Sequence, residues 1–185
     1  MKELIFAQTL KWEAEKGISD NPNDLGGATN DGITYKHYQA YCMEVLGIVP
    51  SFAHFKAMKP QEIMKFYDRI WRRLGLDGVE NKVLAGNCFD FAFNSQYGKR
   101  EIQFVLRDLG YTLIIVDNVF GPATVKALND AFKQYGTDLI DMILMRRLNY
   151  LYNFIIRMPN QIEFVKGWMN RVTDWREFSK EHLDY

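Results

Sequence analysis

The chain lacks any apolar run approaching 18 residues, which excludes a membrane-spanning helix of ordinary length. Its opening residues, MKELIFAQTLKWEAEKG, carry Lys2, Glu3, Lys11 and Glu13, so they lack the uninterrupted apolar core of a secretory leader. Synthesis in the cytoplasm, without a signal peptide, is the expectation. Excess charge is also missing, because 23 Lys and Arg balance 23 Asp and Glu. A neutral chain offers no global field to a nucleic acid and no polybasic patch to a membrane surface. Cysteine is scarce: Cys42 and Cys88 are the two, each inside an apolar helical pattern where reduced thiols are commonly buried. No Cys/His cluster has zinc spacing, no glycine-lysine phosphate loop is present, and nothing marks a Ser/His/Asp set around the three histidines. Neither a metal nor a cofactor is implied.

What the chain does have is apolar and aromatic content. Of 185 residues, 48% are hydrophobic and 15% aromatic, enough for one domain, or one domain with a small appended subdomain. Helical spacing recurs along most of it. Phe6, Leu10 and Ala14 predict a helix over 3–16 that stops at Gly17. Thr34 is a good N-cap for a helix through about Leu46, ended by Gly47. Ser51 suits the cap of a short turn, and Pro60 suits the start of a helix carrying Ile63, Phe66, Tyr67, Ile70 and Trp71. Further helices are predicted over 80–97, after Gly98, from Gly121-Pro122, and over roughly 137–157 and 160–182, the last interrupted near Gly167. The run Leu113 to Val116 reads as loop or strand. The fold class is mainly α.

Between Gly17 and Ile33 this pattern gives way to Asp, Asn, Gly and Thr, the residues of turns and polar sites. Asp31-Gly32 has the composition of a tight β-hairpin turn. An EF-hand register fails here. A start at Asp20 puts Leu25 at the invariant glycine, and a start at Asn21 puts Leu25 on a ligand position and Gly32 on the closing glutamate. Glu15 falls in the last turn of its helix, where the dipole disfavours a negative charge. It reads either as an exposed glutamate at a frayed end or as an acid placed for chemistry. Glycosidic cleavage needs a protonated acid on the leaving oxygen and a second group to activate water or stabilise the oxocarbenium-like centre. Glu15 fits the first role and Asp24, in a polar turn, the second, with Thr29 able to orient a water. Asp90 and Asn94, four residues apart in an apolar helix, either knit the core or face a cleft. Trp71 reads mainly as core, with a ring that could also stack on a sugar.

Four ordered blocks then carry a resemblance. Glu15-Lys16-Gly17, Asn21 to Asn30 (NPNDLGGATN) and Gly32-Ile33-Thr34 resemble the signature of glycoside hydrolase family 108, whose members are phage and bacterial N-acetylmuramidases, some labelled secretion activators. Phe89-Asp90-Phe91-Ala92 with Asn94 and Gln103 resembles its second block. Asp117 to Thr124 (DNVFGPAT) is similar to a motif of its predicted peptidoglycan-binding region, and Gly167-Trp168-Met169-Asn170-Arg171 is similar to its closing segment. The sequence departs from the pattern at Lys16 and Ile18.

The resemblance implies a lysozyme-like helical fold with a small polar loop or β-hairpin at the active site. It implies a catalytic region over 1–98 and a helical peptidoglycan-binding region over 99–185. Glu15 maps onto the family's catalytic glutamate. The spacing of Asp24 and Thr29 after it is similar to that in phage-type lysozymes and ranks them as helpers. Asn30, Tyr35, Trp71, Asp90 and Asn94 stand as candidate substrate contacts. The expected activity is hydrolysis of the β-1,4 bond between N-acetylmuramic acid and N-acetylglucosamine by an endolysin acting on bacterial peptidoglycan, without cofactor, as a monomer. The expected place of action is the periplasm or cell wall after release. A non-catalytic wall-binding or secretion-assembly protein of the same fold is the alternative.

Overall fold

Capping residues and turn dipeptides set most of the element boundaries in a computed structural model that describes residues 1–14, 18–19 and 27–183. The chain packs as two compact units, Lys2–Arg73 and Leu74–Tyr185. In the first unit, α1 (Lys2–Ala14) buries Ile5 and Phe6. The Phe6 ring meets Tyr67 and Trp71 edge-on, with centroids 5.8 Å away in both cases. Three strands of two residues follow: β1 (Ile18–Ser19), β2 (Thr29–Asn30) and β3 (Ile33–Thr34). They form an antiparallel sheet in that order. Asn30 pairs with Ile33, which leaves Asp31-Gly32 as a two-residue turn. Both have positive φ, 47° and 76°, as a type I′ hairpin requires.

Thr34 closes β3 and opens α2 (Tyr35–Leu46), its hydroxyl accepting the His37 N–H at 3.1 Å. The helix stops at Gly47, which takes the left-handed conformation at φ 71° without a Cβ penalty. Ser51 caps α3 (Phe52–Lys56) by accepting the His54 N–H. The last helix of the unit is α4 (Pro60–Arg73), whose Glu62 carboxylate accepts the Lys59 N–H at 2.8 Å. The core of the unit gathers Ile33, Tyr38, Cys42, Phe55, Ile63, Phe66, Tyr67 and Trp71 around the two α1 side chains.

The second unit is built on α5 (Lys82–Asn94). Asn81 caps it by accepting the Leu84 N–H at 2.9 Å, and every residue from Val83 to Phe91 is buried. A helix covered on all sides has to sit at the centre of its unit. It packs against α6 (Gly98–Asp108), α8 (Asp138–Arg157) and α9 (Val165–His182), while α7 (Pro122–Tyr135) packs on α6 and α8. Short 3₁₀ turns at Leu76–Gly78 and Pro159–Phe164 complete the unit; α9 runs unbroken through Gly167, so the break expected there falls instead at its start, where the 3₁₀ turn gives way to α-helix. The run 113–116 is irregular, the loop rather than the strand of its two expected forms. Only Ile114 is buried there, and Leu113 is 93% exposed. The following loop hangs on buried Gln103. The Gln103 amide nitrogen donates to Asp117 Oδ1 at 2.8 Å and to the Val119 carbonyl at 2.9 Å, and its oxygen accepts the Asn118 N–H at 2.9 Å.

The chain is mainly α, as the helical spacing predicts. Both cysteines are buried and unbridged. Among the described residues no helix is long and apolar enough to cross a membrane. Gly98 marks the closest approach in the second unit: a Cβ there would lie 2.3 Å from the Phe91 carbonyl oxygen. Gly98→Ala is therefore expected to cost about 1–3 kcal/mol in urea denaturation. Gly167→Ala, whose Cβ would meet nothing within 4 Å, is expected to stay within about 0.5 kcal/mol of the parent or gain slightly.

Candidate functional site

Glu15 and Asp24 lie outside the described residues; what the structure defines is the frame on either side of them. Ser19 pairs with Thr29 and Ile18 with Asn30, so the polar stretch leaves the sheet at β1 and returns to it at β2. Two-residue strands are too short to hold such a frame by themselves. Side chains from the helices hold it instead. Asn30 is 6% exposed and its Nδ2 donates to the Phe55 carbonyl at 2.6 Å, tying β2 to α3. This corrects its expected role, because the amide is engaged with the fold and little of it remains to meet a sugar. The Tyr67 hydroxyl donates to the Asp31 carbonyl at 2.9 Å, fixing the hairpin turn to α4. The Tyr35 N–H donates to the Ala28 carbonyl at 2.8 Å, and its half-buried ring packs edge-on to Phe52 at 4.9 Å.

Behind this frame runs a polar chain. The Tyr38 hydroxyl is 2.8 Å from His54 Nδ1, and His54 Nε2 is 3.1 Å from Glu62. Burial, then a hydrogen bond to Cys42, pushes the Tyr38 hydroxyl up to about 12, so it keeps its proton throughout the neutral range. The chain supports α3, and through Phe55 it supports Asn30.

Asp31 has a carboxyl whose surroundings the sequence did not suggest beyond its turn. Its carboxyl is raised above the ordinary carboxylate range, chiefly by burial and secondly by the negative charge of Glu13 in α1. The residue is half-buried at the tip of the β2–β3 hairpin. In sequence it showed only as half of an Asp-Gly turn, since its meeting with Glu13 depends on tertiary packing.

The remaining candidates fall elsewhere. Trp71 is fully buried against Phe6. It presents no face to a sugar, which corrects its assignment as a stacking residue. Asp90 has no exposure either and is also corrected. Arg147 Nη1 donates to it at 2.8 Å, and Arg171 donates through Nε at 3.0 Å and Nη2 at 2.6 Å. Burial drives its carboxyl up, but Arg171 and then Arg147 more than offset this and hold it at about 2. Asn94 belongs to the same cluster, its Oδ1 accepting from Arg147 Nη2 at 3.2 Å. The core reading of this pair is the observed one.

A mainly α chain with a small antiparallel sheet framing a polar loop, followed by helices locked through a buried carboxylate, is the class of protein that this geometry defines. Comparison with known families makes it specific. Residues 6–95 match the family described as glycosyl hydrolase 108 and residues 97–173 the family described as predicted peptidoglycan domain. The two matched stretches together support a function related to peptidoglycan. Among solved structures it is similar to SagA of Brucella abortus, at 25% identity and a TM-score of 0.69, over 96% of this chain and 92% of that one. No curated protein matches it.

The Asp90 cluster makes an acid-stability prediction. Its folded pKa lies below the unfolded value of about 4, so its contribution is present above pH 4 and drains away as pH falls towards about 2. Asp90→Asn leaves two arginines buried without their counter-charge and is expected to cost about 3–5 kcal/mol by chemical denaturation. The variant should also show a flatter loss of stability between pH 4 and pH 2.

Proposed function

We propose that the protein is a lysozyme that hydrolyses the β-1,4 bond between N-acetylmuramic acid and N-acetylglucosamine, with Glu15 as the general acid. The match of residues 6–95 to glycosyl hydrolase 108 carries the reading. In this scheme Glu15 gives its proton to the glycosidic oxygen as the C–O bond breaks. Water adds at the anomeric carbon as its proton passes to the Asp24 carboxylate, and Thr29 orients that water. Asn30 serves indirectly, by anchoring the strand that carries Thr29. Tyr35 keeps a proposed place in substrate binding. The chemistry needs no metal or cofactor.

Residues 1–98 then form the catalytic region and 99–185 the wall-binding region, in line with the matched stretches 6–95 and 97–173. The protein works as a monomeric, phage-type endolysin on the cell wall, after synthesis in the cytoplasm. A second reading, a wall-binding or secretion-assembly protein without turnover, is motivated by Lys16 and Ile18 beside Glu15. A lysine there lowers the pKa of a neighbouring acid and so weakens it as a proton donor at neutral pH.

Purified Gram-negative sacculi, incubated with the parent protein and with Glu15→Gln, separate the readings. New reducing muramic acid ends, seen by mass spectrometry and reduced at least about a hundredfold in the variant, are the expected outcome. Solubilisation unchanged by Glu15→Gln removes the residue from its role, and binding without cleavage supports the second reading. Asp24→Asn and Asp31→Asn in the same assay identify which carboxylate assists. A pH–rate limb that is lost with Asp31 and lies above the ordinary carboxylate range would transfer the role to it.

A further inference from the structure

The first unit carries a groove of about 1170 Å³. It is lined by the start of α1, the end of α2 and one side of α4. Its near end on α1, Lys2, is 12 residues from Ala14 at the other end of the helix, roughly 18 Å along the axis at 1.5 Å per residue. The lining is polar in an uneven way: five basic side chains face three acidic ones. Lys65, Arg69 and Arg72 follow one another at helical spacing along α4, with Arg73 beside them, so the excess positive charge forms a ridge rather than a scatter.

Part of that charge is answered within the protein. Asp68 pairs with Lys2 and with Arg72, and Arg69 Nε donates to Glu44 at 2.9 Å. Lys65 and Arg73 remain exposed, with no carboxylate paired to them among the described residues. Arg69 is the informative member. It is 7% exposed, its guanidinium lies 3.3 Å from the centre of the Tyr41 ring, and its Nη1 has no hydrogen-bond partner among the described residues. Leaving a buried charged donor unmatched is costly. The stacking on Tyr41 and the bond to Glu44 hold the guanidinium in one orientation, where its charge adds to the positive ridge formed with Lys65 and Arg73. Apolar surface beside it, from Val45 and Met64, suits a chain with a stem to bury rather than a small free ion.

We propose that this groove binds a carboxylate-bearing peptide, and that the stem peptides of peptidoglycan supply it. The identification of that source rests on the proposed function. Carboxylates of the peptide pair with Lys65 and Arg73, while its aliphatic part lies against Val45 and Met64. The groove therefore grips the peptide arm of the polymer while the polar loop acts on its glycan.

The test titrates a synthetic stem tetrapeptide carrying D-glutamate and diaminopimelate carboxylates into the full chain, with the backbone amides followed by NMR. Expected are shifts confined to α4, the end of α2 and the start of α1, weakened by added salt. They should also be weakened roughly tenfold in affinity by Lys65→Glu with Arg73→Glu and left unchanged by Glu15→Gln. Failure of the peptide to bind at millimolar concentration overturns the proposal. So does inorganic phosphate or an unrelated acidic peptide binding equally well, the latter pointing to a protein partner instead. Cleavage of intact sacculi and of peptide-free glycan strands adds an independent arm. The double variant should slow the first and spare the second. A protein that cleaves neither defeats the catalytic reading while the titration still reports on the groove.

Discussion

A carboxylate without solvent exposure has to be matched inside the protein, and Asp90 sets that condition for the whole second unit. It stands on α5, the helix buried along nearly its whole length, and draws one arginine from α8 and one from α9 onto itself. Removing a charge from water costs several kcal/mol after relaxation, and only good geometry with full hydrogen bonding recovers it. Arg171 approaches with two nitrogens and Arg147 with one, while Arg147 spends another on Asn94. The three helices are thus fixed in rotation and register as well as in contact. The cluster also joins the two matched families. Asp90 lies in the stretch 6–95 and both arginines lie in the stretch 97–173. The helix that closes the hydrolase match is a structural part of the helical unit that follows it.

The first unit solves a different problem. Its polar stretch has few side chains to bury, so any order in it has to be supplied by neighbours. Six strand residues provide the frame, and helical side chains pin it at Asn30 and at Asp31 while the Thr34 cap starts α2 in register. The hydrogen-bonded series Tyr38, His54, Glu62 stiffens α3, on which the Asn30 contact depends. The groove along α4 belongs to the same unit but faces a separate set of charges, so the unit divides its polar side chains between two tasks.

Local grammar was easy to read. The caps Thr34 and Ser51, the stop at Gly47, the start at Pro60 and the Asp31-Gly32 turn all depend on interactions within four residues, and each is where the sequence predicts it. Helix α2 matches its predicted limits, while α5 begins two residues later and ends three earlier than its apolar pattern suggests. The polar stretch was legible as residue types in order, and those types carried the resemblance. Its contacts were less legible. Trp71 and Asp90 look equally suited to a cleft or a core, because a tryptophan or an aspartate on an apolar helix face carries no mark of what lies opposite.

The sequence by itself determined the mainly α class, the position of the hairpin turn, and the ordered motifs that lie within the matched stretches 6–95 and 97–173. Periodicity, capping and motif spacing are properties of short stretches, and a single chain displays them directly. Tertiary structure decided that Asp90 is an ion-pair anchor, that Asn30 is a strand tie, that Asp31 answers to Glu13, and that Arg69 has a donor to spare. Each of these depends on a partner between 18 and 81 residues away. Electrostatics and desolvation act through space, and separation along the chain does not encode which distant charge will arrive at a given side chain.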